Sequence, residues 1–150
     1  MSAPIEPAPS GPAPFEHEVR VRWRDTDALG HVNHAVFLTY LEEGRDAFYA
    51  SVLGSDPIYV VARLEVDLHA EVRYDDRRVT VRIEVERLGA TSLTTREAVL
   101  TGPGQVAARA RVITVRWDAG RRRPIRFTET ERARIALAGG AAGAAGTAAG

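Results

Sequence analysis

Apolar and charged residues alternate strictly where the patterned part of the chain begins. Phe15, His17, Val19, Val21 and Trp23 share one side, and Glu16, Glu18, Arg20, Arg22 and Arg24 the other. Period two with charges opposite predicts a half-buried strand. After a glycine-containing segment the period changes: Phe37, Leu41, Gly44, Phe48 and Val52 make one face of a helix. Asn33 suits its N-cap, and Gly54 followed by Asp56-Pro57 its stop, so the spacing predicts a helix over His34 to Leu53. At ~1.5 Å per residue it is roughly 30 Å long. Alternation then returns at Ala62, Leu64, Val66, Leu68 and Ala70, and again at Val79, Val81, Ile83 and Val85. Leu93 to Leu100 and Val106 to Trp117 supply two more strands, joined by Gly102-Pro103-Gly104. In the last strand the apolar parity slips near Arg111 to Ile113, which predicts a bulge. Thr128 and Glu131 form a capping-box pattern before a short helix ending near Leu137.

Strand, long helix, four strands and a short helix define an α+β class with a five-stranded antiparallel sheet, because the connections between the later strands are short. Five strands at ~4.8 Å span about 24 Å, whereas one helix is about 10 Å across. The sheet must therefore curl around the helix, and leftover apolar surface or open edges should meet another subunit. A homodimer or homotetramer is the expected state.

Composition narrows the chemistry. The chain of 150 residues has no cysteine, and its 20 basic residues are all arginine. Thiolate zinc sites, a cysteine nucleophile and Schiff-base lysine chemistry are thereby excluded. Twenty acids balance the arginines, so no overall field favours a nucleic-acid or membrane partner. Five of the 8 prolines fall within residues 1–14, and residues 139–150 hold only Gly, Ala and one Thr. Residues 1–14 and 138–150 are expected to be disordered tails around a single domain at 15–137, and the lack of a leader pattern favours a cytoplasmic location.

Candidate chemistry concentrates between the first strand and the long helix, in Arg24-Asp-Thr-Asp27-Ala-Leu-Gly-His31-Val-Asn33-His34. A helix start presents unpaired N–H groups and about half a positive charge, which suits developing negative charge on an oxygen. A carboxylate just before it can act as base or nucleophile on a carbonyl polarised by those N–H groups. Ester, thioester and amide substrates all fit. Ordinary capping explains any one of these residues equally well, and Asp27, His31 and His34 also read as possible metal ligands. No further cluster of such ligands stands out, so neither a metal nor a cofactor is expected.

The stretch from Val19 to Phe48, with Asp27-Ala-Leu-Gly-His31-Val-Asn33-His34 followed by Phe37, Tyr40, Glu42, Glu43 and Arg45, resembles the hotdog-fold acyl-CoA thioesterases of the 4-hydroxybenzoyl-CoA thioesterase superfamily. The likeness extends to Val60–Asp67 and to Val85–Ser92. It implies a long helix wrapped by an antiparallel sheet, protomers that pair, and an acyl-CoA substrate. It places the catalytic carboxylate at Asp27, the carbonyl-polarising N–H at His34, and orienting roles at Asn33 and His31. Where many relatives have a second asparagine this chain has His34, which leaves the backbone role intact. Asp25 is then structural.

Further candidates lie outside the motif. Glu43 sits where another branch places an acid, though a pair with an arginine explains it as well. Thr91 and Ser92 open a strand and are candidates to approach the pantetheine or acyl group. Arg121 and Arg123, in a run with Arg122 and Arg126, are candidates to hold coenzyme A phosphates by forked hydrogen bonds. Arg73, Arg77 and Arg78 carry the same alternatives, phosphate contact or solvated basic loop. The competing functions are a non-hydrolytic acyl-CoA binding module, an acyl-carrier-protein thioesterase, and a hotdog dehydratase or hydratase. A pure binder has no use for a carboxylate beside the carbonyl.

Overall fold

The computed structural model describes residues 12–54, 58–102 and 104–139. Of the expected tails at 1–14 and 138–150, residues 1–11 and 140–150 lie outside them, as do Asp56-Pro57 and Pro103. The elements are β1 (Phe15–Arg20), α1 (His34–Leu53), β2 (Tyr59–Leu68), β3 (Arg78–Leu88), β4 (Ser92–Thr101), β5 (Gln105–Asp118), β6 (Arg123–Pro124) and α2 (Glu129–Ala138). All pairings are antiparallel, in the order β1-β3-β4-β5-β2, with β6 on the end of β5. The expected five strands are therefore joined by a sixth. It is only two residues long, too short for any alternation to announce it. A sheet curled around one long helix is the hotdog arrangement.

Helix α1 matches the expected limits. Asn33 Oδ1 accepts the Ala35 N–H at 2.9 Å, and Gly54 closes the other end in a left-handed conformation (φ 68°) that is unfavourable for residues with a side chain. The predicted stripe faces inward: Phe37, Leu41, Gly44, Phe48 and Val52 are buried, together with Tyr40, Arg45 and Tyr49. They pack mainly on β1, β3 and β4, with α2 alongside. Val79, Val81, Ile83 and Val85 complete the core from β3, and Phe15 meets the Phe48 ring edge-on at 5.4 Å. Gly44 is a point of close approach between helix and sheet. A Cβ there would lie 2.3 Å from Val81 Cγ1 and 2.7 Å from Val81 Cβ, atoms that cannot swing away. Gly44→Ala is expected to cost roughly 3 kcal/mol in overpacking against ~1 kcal/mol of helix propensity gained. Urea denaturation should show a net loss of about 2 kcal/mol. A variant as stable as the parent would mean that the helix can lift off β3 freely.

Three expectations are corrected. Trp23 does not continue the inward row of β1; it is 77% exposed. The ladder ends at Arg20, and the Asp25 carboxylate then accepts the Arg22 N–H at 2.8 Å, turning Trp23–Asp25 into a short 3-10 turn. In β2 only Leu64 and Val66 of the expected row are half-buried; Ala62 and Leu68 are exposed, and Ala70 lies past the strand. This strand is at the sheet edge, where α1 gives little cover apart from Tyr59, whose ring stacks on Tyr49 at 4.5 Å. Finally, β5 has no bulge at Arg111 to Ile113. Its extra residue is Ala107, and opposite Ile113 and Thr114 the register shifts on β2 at Ala62. The parity slip has another cause: the inward position is filled by Thr114, buried and hydrogen-bonded to the Tyr49 hydroxyl. Helix α2 begins on the expected reciprocal cap, Thr128 with Glu131, and the carbonyl of Gly139 just beyond it accepts the Val85 N–H at 2.8 Å.

Candidate active site

The chain leaves β1 and must reach the start of α1, and side-chain hydrogen bonds fix its route. Asp25 is 6% exposed; its Oδ2 accepts the Arg22 N–H and the Tyr40 hydroxyl, the latter at 2.7 Å, and its carbonyl accepts the Asn33 N–H at 2.9 Å. One buried acid thus ties the turn to the N-cap and the helix, the structural role expected of it. Burial, with the Asp25 carboxylate alongside, pushes the Tyr40 hydroxyl well above the usual phenol range, so it stays a donor. Glu43 is paired with Arg22 at 2.8 Å, so the neighbouring arginine accounts for it.

Between these anchors residues 27–31 form a small loop. Thr26 and Val32 bridge its base, the Asp27 N–H donates to the His31 carbonyl at 2.9 Å, and the Gly30 N–H donates to the Asp27 carbonyl at 3.0 Å. Gly30 closes it with φ 81°, a region that favours glycine. Asp27 Oδ1 accepts the Leu29 N–H at 2.9 Å, and Oδ2 faces His31 Nδ1 at 3.5 Å. The Asp27 and His31 side chains are 26% and 31% exposed, neither sealed in the core nor turned into bulk solvent. Asn33 caps α1 with its side chain, and His34 is the exposed first residue of the helix. Because Asn33 takes the Ala35 N–H, the His34 N–H remains without a partner among the described residues. Asp27, His31, Asn33 and His34 therefore share one loop and the helix end it feeds. Among the described residues no three His, Asp or Glu side chains converge closely enough to hold a metal ion.

The other candidates lie elsewhere. The Asp27 loop rests on the segment leading into β3: the Val32 N–H donates to the Val72 carbonyl at 2.7 Å, and His31 bridges Arg73. Thr91 and Ser92 lie just beyond the far end of β3, which is about 34 Å of extended strand away. Arg121, exposed beside Asp118, and Arg123, exposed on β6, share that far end. There the Phe127 N–H donates to the Ala90 carbonyl at 3.0 Å, and a groove of about 350 Å³ is lined by Leu88, Gly89, Ala90, Arg126, Phe127 and Arg132 among others. A single chain thus keeps the two sets of candidates apart.

Residues 21–135 match the thioesterase-like superfamily. The chain belongs to that family. It is 27% identical over 117 residues to the acyl-CoA thioester hydrolase YbgC of Escherichia coli, an alignment that covers 73% of this chain and 87% of the relative. A thioesterase from Thermus thermophilus, solved with coenzyme A and zinc, is 36% identical, with a TM-score of 0.71 over 82% of this chain and 98% of its own. A predicted thioesterase from Bacillus stearothermophilus is 29% identical, with a TM-score of 0.74 over 82% of this chain and 94% of its own. The hotdog thioesterase resemblance is confirmed, and the chain is a thioesterase: its reaction is hydrolysis of a thioester bond. Among the described residues no helix is long and apolar enough to cross a membrane.

Sequence reasoning passed over two buried pairs, Asp25 with Tyr40 beside this loop and Arg45 with Glu97 further along α1. Both left a trace. Tyr40 lies on the α1 stripe three residues from Phe37, and Glu97 interrupts the apolar run of β4 at an inward position.

Proposed function

We propose that the protein hydrolyses acyl-CoA thioesters to free acid and coenzyme A, with Asp27 as the catalytic carboxylate. The observation that carries this reading is the placement of Asp27: a half-buried carboxylate on the loop that feeds the N-terminus of α1. Oδ1 holds the loop through the Leu29 N–H, which leaves Oδ2, beside His31, for chemistry. The substrate carbonyl oxygen takes the His34 N–H and the positive end of the helix; one such donor contributes about 3 kcal/mol to the transition state. Asp27 either attacks the carbonyl carbon, expelling the thiolate and forming an anhydride that water opens, or takes a proton from a water that attacks instead. The leaving thiol has a pKa of ~8.5, so no strong general acid is required. His31, beside Oδ2, and Asn33 orient the acid and the water.

The assembly completes the site in this reading. Edge strand β2 exposes Val60 and Val61 at 38% and 45% and Leu68 at 51%, an apolar margin that favours pairing with a second copy. A two-fold partner brings its own copies of the Thr91, Ser92, Arg121 and Arg123 segment towards the Asp27 loop, where one chain alone cannot. Those hydroxyls suit a pantetheine arm, and the exposed guanidinium groups suit coenzyme A phosphates.

The test is release of free thiol, read with a chromogenic thiol reagent, across short, long and aromatic acyl-CoAs. Turnover of at least one class is expected; silence across the whole panel would sink the acyl-CoA assignment. Single turnover in isotope-labelled water separates the two roles of Asp27, because only the anhydride route leaves label in its carboxylate.

A further inference from the structure

The turn that supports the Asp27 loop also builds a second feature, a groove of about 400 Å³ lined by Arg20, Val21, Tyr74, Arg77 and Arg78. Its charges are arranged against their own comfort. Arg20 and Arg78 are direct partners across the β1–β3 ladder, where like charges repel. Arg77, next in chain, has φ 64° and ψ −41°, a conformation costly for any residue with a side chain. Two backbone bonds hold it there: its N–H donates to the Tyr74 carbonyl at 3.1 Å and its carbonyl accepts the Val21 N–H at 2.9 Å. The Arg77 guanidinium sits 5.0 Å from the centre of the Tyr74 ring. Nearby acids relieve little of this. Glu18 pairs with Arg78, and Asp76 accepts the Arg73 N–H, while Arg20 and Arg77 have no carboxylate partner among the described residues.

We propose that this groove binds a phosphate group of the thioester's coenzyme A carrier. Guanidinium groups without a carboxylate partner, as at Arg20 and Arg77, recognise phosphoryl oxygens by paired, charge-assisted hydrogen bonds, and a bound dianion relieves the cross-strand repulsion. The position fits the reach. Arg73 bridges His31, and the five residues from Arg73 to Arg78 span at most about 18 Å, within the span of an extended pantetheine arm. The proposal rests on the acyl-CoA reading, but it concerns residues of the same chain as Asp27 and does not depend on the far-end arginines.

Calorimetric titration tests it with coenzyme A, 3′-dephospho-coenzyme A and pantetheine as separate ligands. Arg20→Ala and Arg77→Ala are each expected to weaken coenzyme A about tenfold, while Arg82→Ala, which breaks an exposed pair with Glu16 on the same sheet face, leaves it unchanged. The loss should vanish with pantetheine. If it persists with the dephospho compound, the groove holds the diphosphate; if it disappears, the groove holds the 3′-phosphate. Arg77→Gly should weaken binding equally while raising the melting temperature, since glycine accepts φ 64° without strain, an opposed pair of effects that a purely structural arginine cannot produce. Equal affinity of parent and variants for coenzyme A, an equal loss with pantetheine, or no binding by the parent would overturn the proposal. Intact, arginine-dependent binding without turnover of any thioester would instead remove the hydrolytic reading and leave the groove standing.

Discussion

Asp27→Asn is expected to lower thioester hydrolysis by at least about a hundredfold while the fold is preserved. The two halves follow from different atoms of one side chain. Oδ1 accepts the Leu29 N–H and so shapes the loop, and asparagine retains that acceptor. Oδ2 faces His31 at 3.5 Å and carries the charge that the reaction uses, and asparagine has neither the charge nor the basicity. The lost contact with His31 is partly exposed, and such pairs contribute only about 0–1 kcal/mol. Circular-dichroism melting should therefore show a shift of a few degrees at most, with thiol release at or near background. Asp27→Ala is a sharper structural probe, because it also deletes the acceptor for Leu29. Parent-like turnover by well-folded Asp27→Asn would take this carboxylate out of the mechanism and leave the helix N-terminus to act on a water positioned by other groups.

Local rules made α1 readable to the residue. Its stripe, its Asn33 cap and its Gly54 stop are contained within the segment itself, and tertiary packing reinforces each of them. The inward row of β3 was legible for the same reason, since that strand lies under the helix and alternates regularly there, whereas β4 is buried on both faces over most of its length and shows no such row. Where a residue's environment is set by a distant partner, alternation misleads. Trp23 keeps the parity of Val19 and Val21, yet the Asp25 side chain turns the backbone before the tryptophan can join the ladder. Thr114 breaks the apolar parity of β5 with no extra residue in that strand between Arg111 and Ile113, because Tyr49, 65 residues away, satisfies its hydroxyl. In β2, apolar residues face outward as well as inward, which period two cannot distinguish from a core strand.

The site divides along the same line. Asp27, His31, Asn33 and His34 could be grouped from sequence because one short loop carries them all, and the structure places them together at the helix end. Thr91, Ser92, Arg121 and Arg123 were chosen by chemical type, and no local rule could tell that β3 holds them a full strand length from Asp27. Of the groove of Arg20, Arg77 and Arg78, the last two were legible as candidates for phosphate contact or a solvated basic loop, but Arg20 and the grouping were not. The grouping lies in the register of Arg20 against Arg78 and in the backbone of Arg77, neither of which is written in residue spacing.

Glu97→Ala is expected to cost about 3–5 kcal/mol, the largest stability loss of any substitution argued for this protein. Arg45 on α1 and Glu97 on β4 meet at 2.7 Å with side chains 5% and 0% exposed, and Thr95 donates to the second carboxylate oxygen at 2.8 Å. Burial pushes the Glu97 carboxyl up from the usual carboxylate range, and the guanidinium and the Thr95 hydroxyl draw it back only in part. The pair thus offsets its own desolvation imperfectly, and the Arg45 Nε is buried without a hydrogen-bond partner among the described residues. Removing one member leaves the other as an uncompensated buried charge; removing both removes the penalty as well. The double variant Arg45→Met, Glu97→Leu should accordingly match the parent or exceed it by about 1–4 kcal/mol in urea denaturation. If the two single losses simply added in the double variant, the two side chains would contribute independently; a double variant clearly less stable than the parent would make the ion pair a net source of stability. If the double variant is stable yet slower in thiol release, the pair's contribution is to fix the seating of α1 on the sheet, and with it the position of the helix N-terminus beside Asp27.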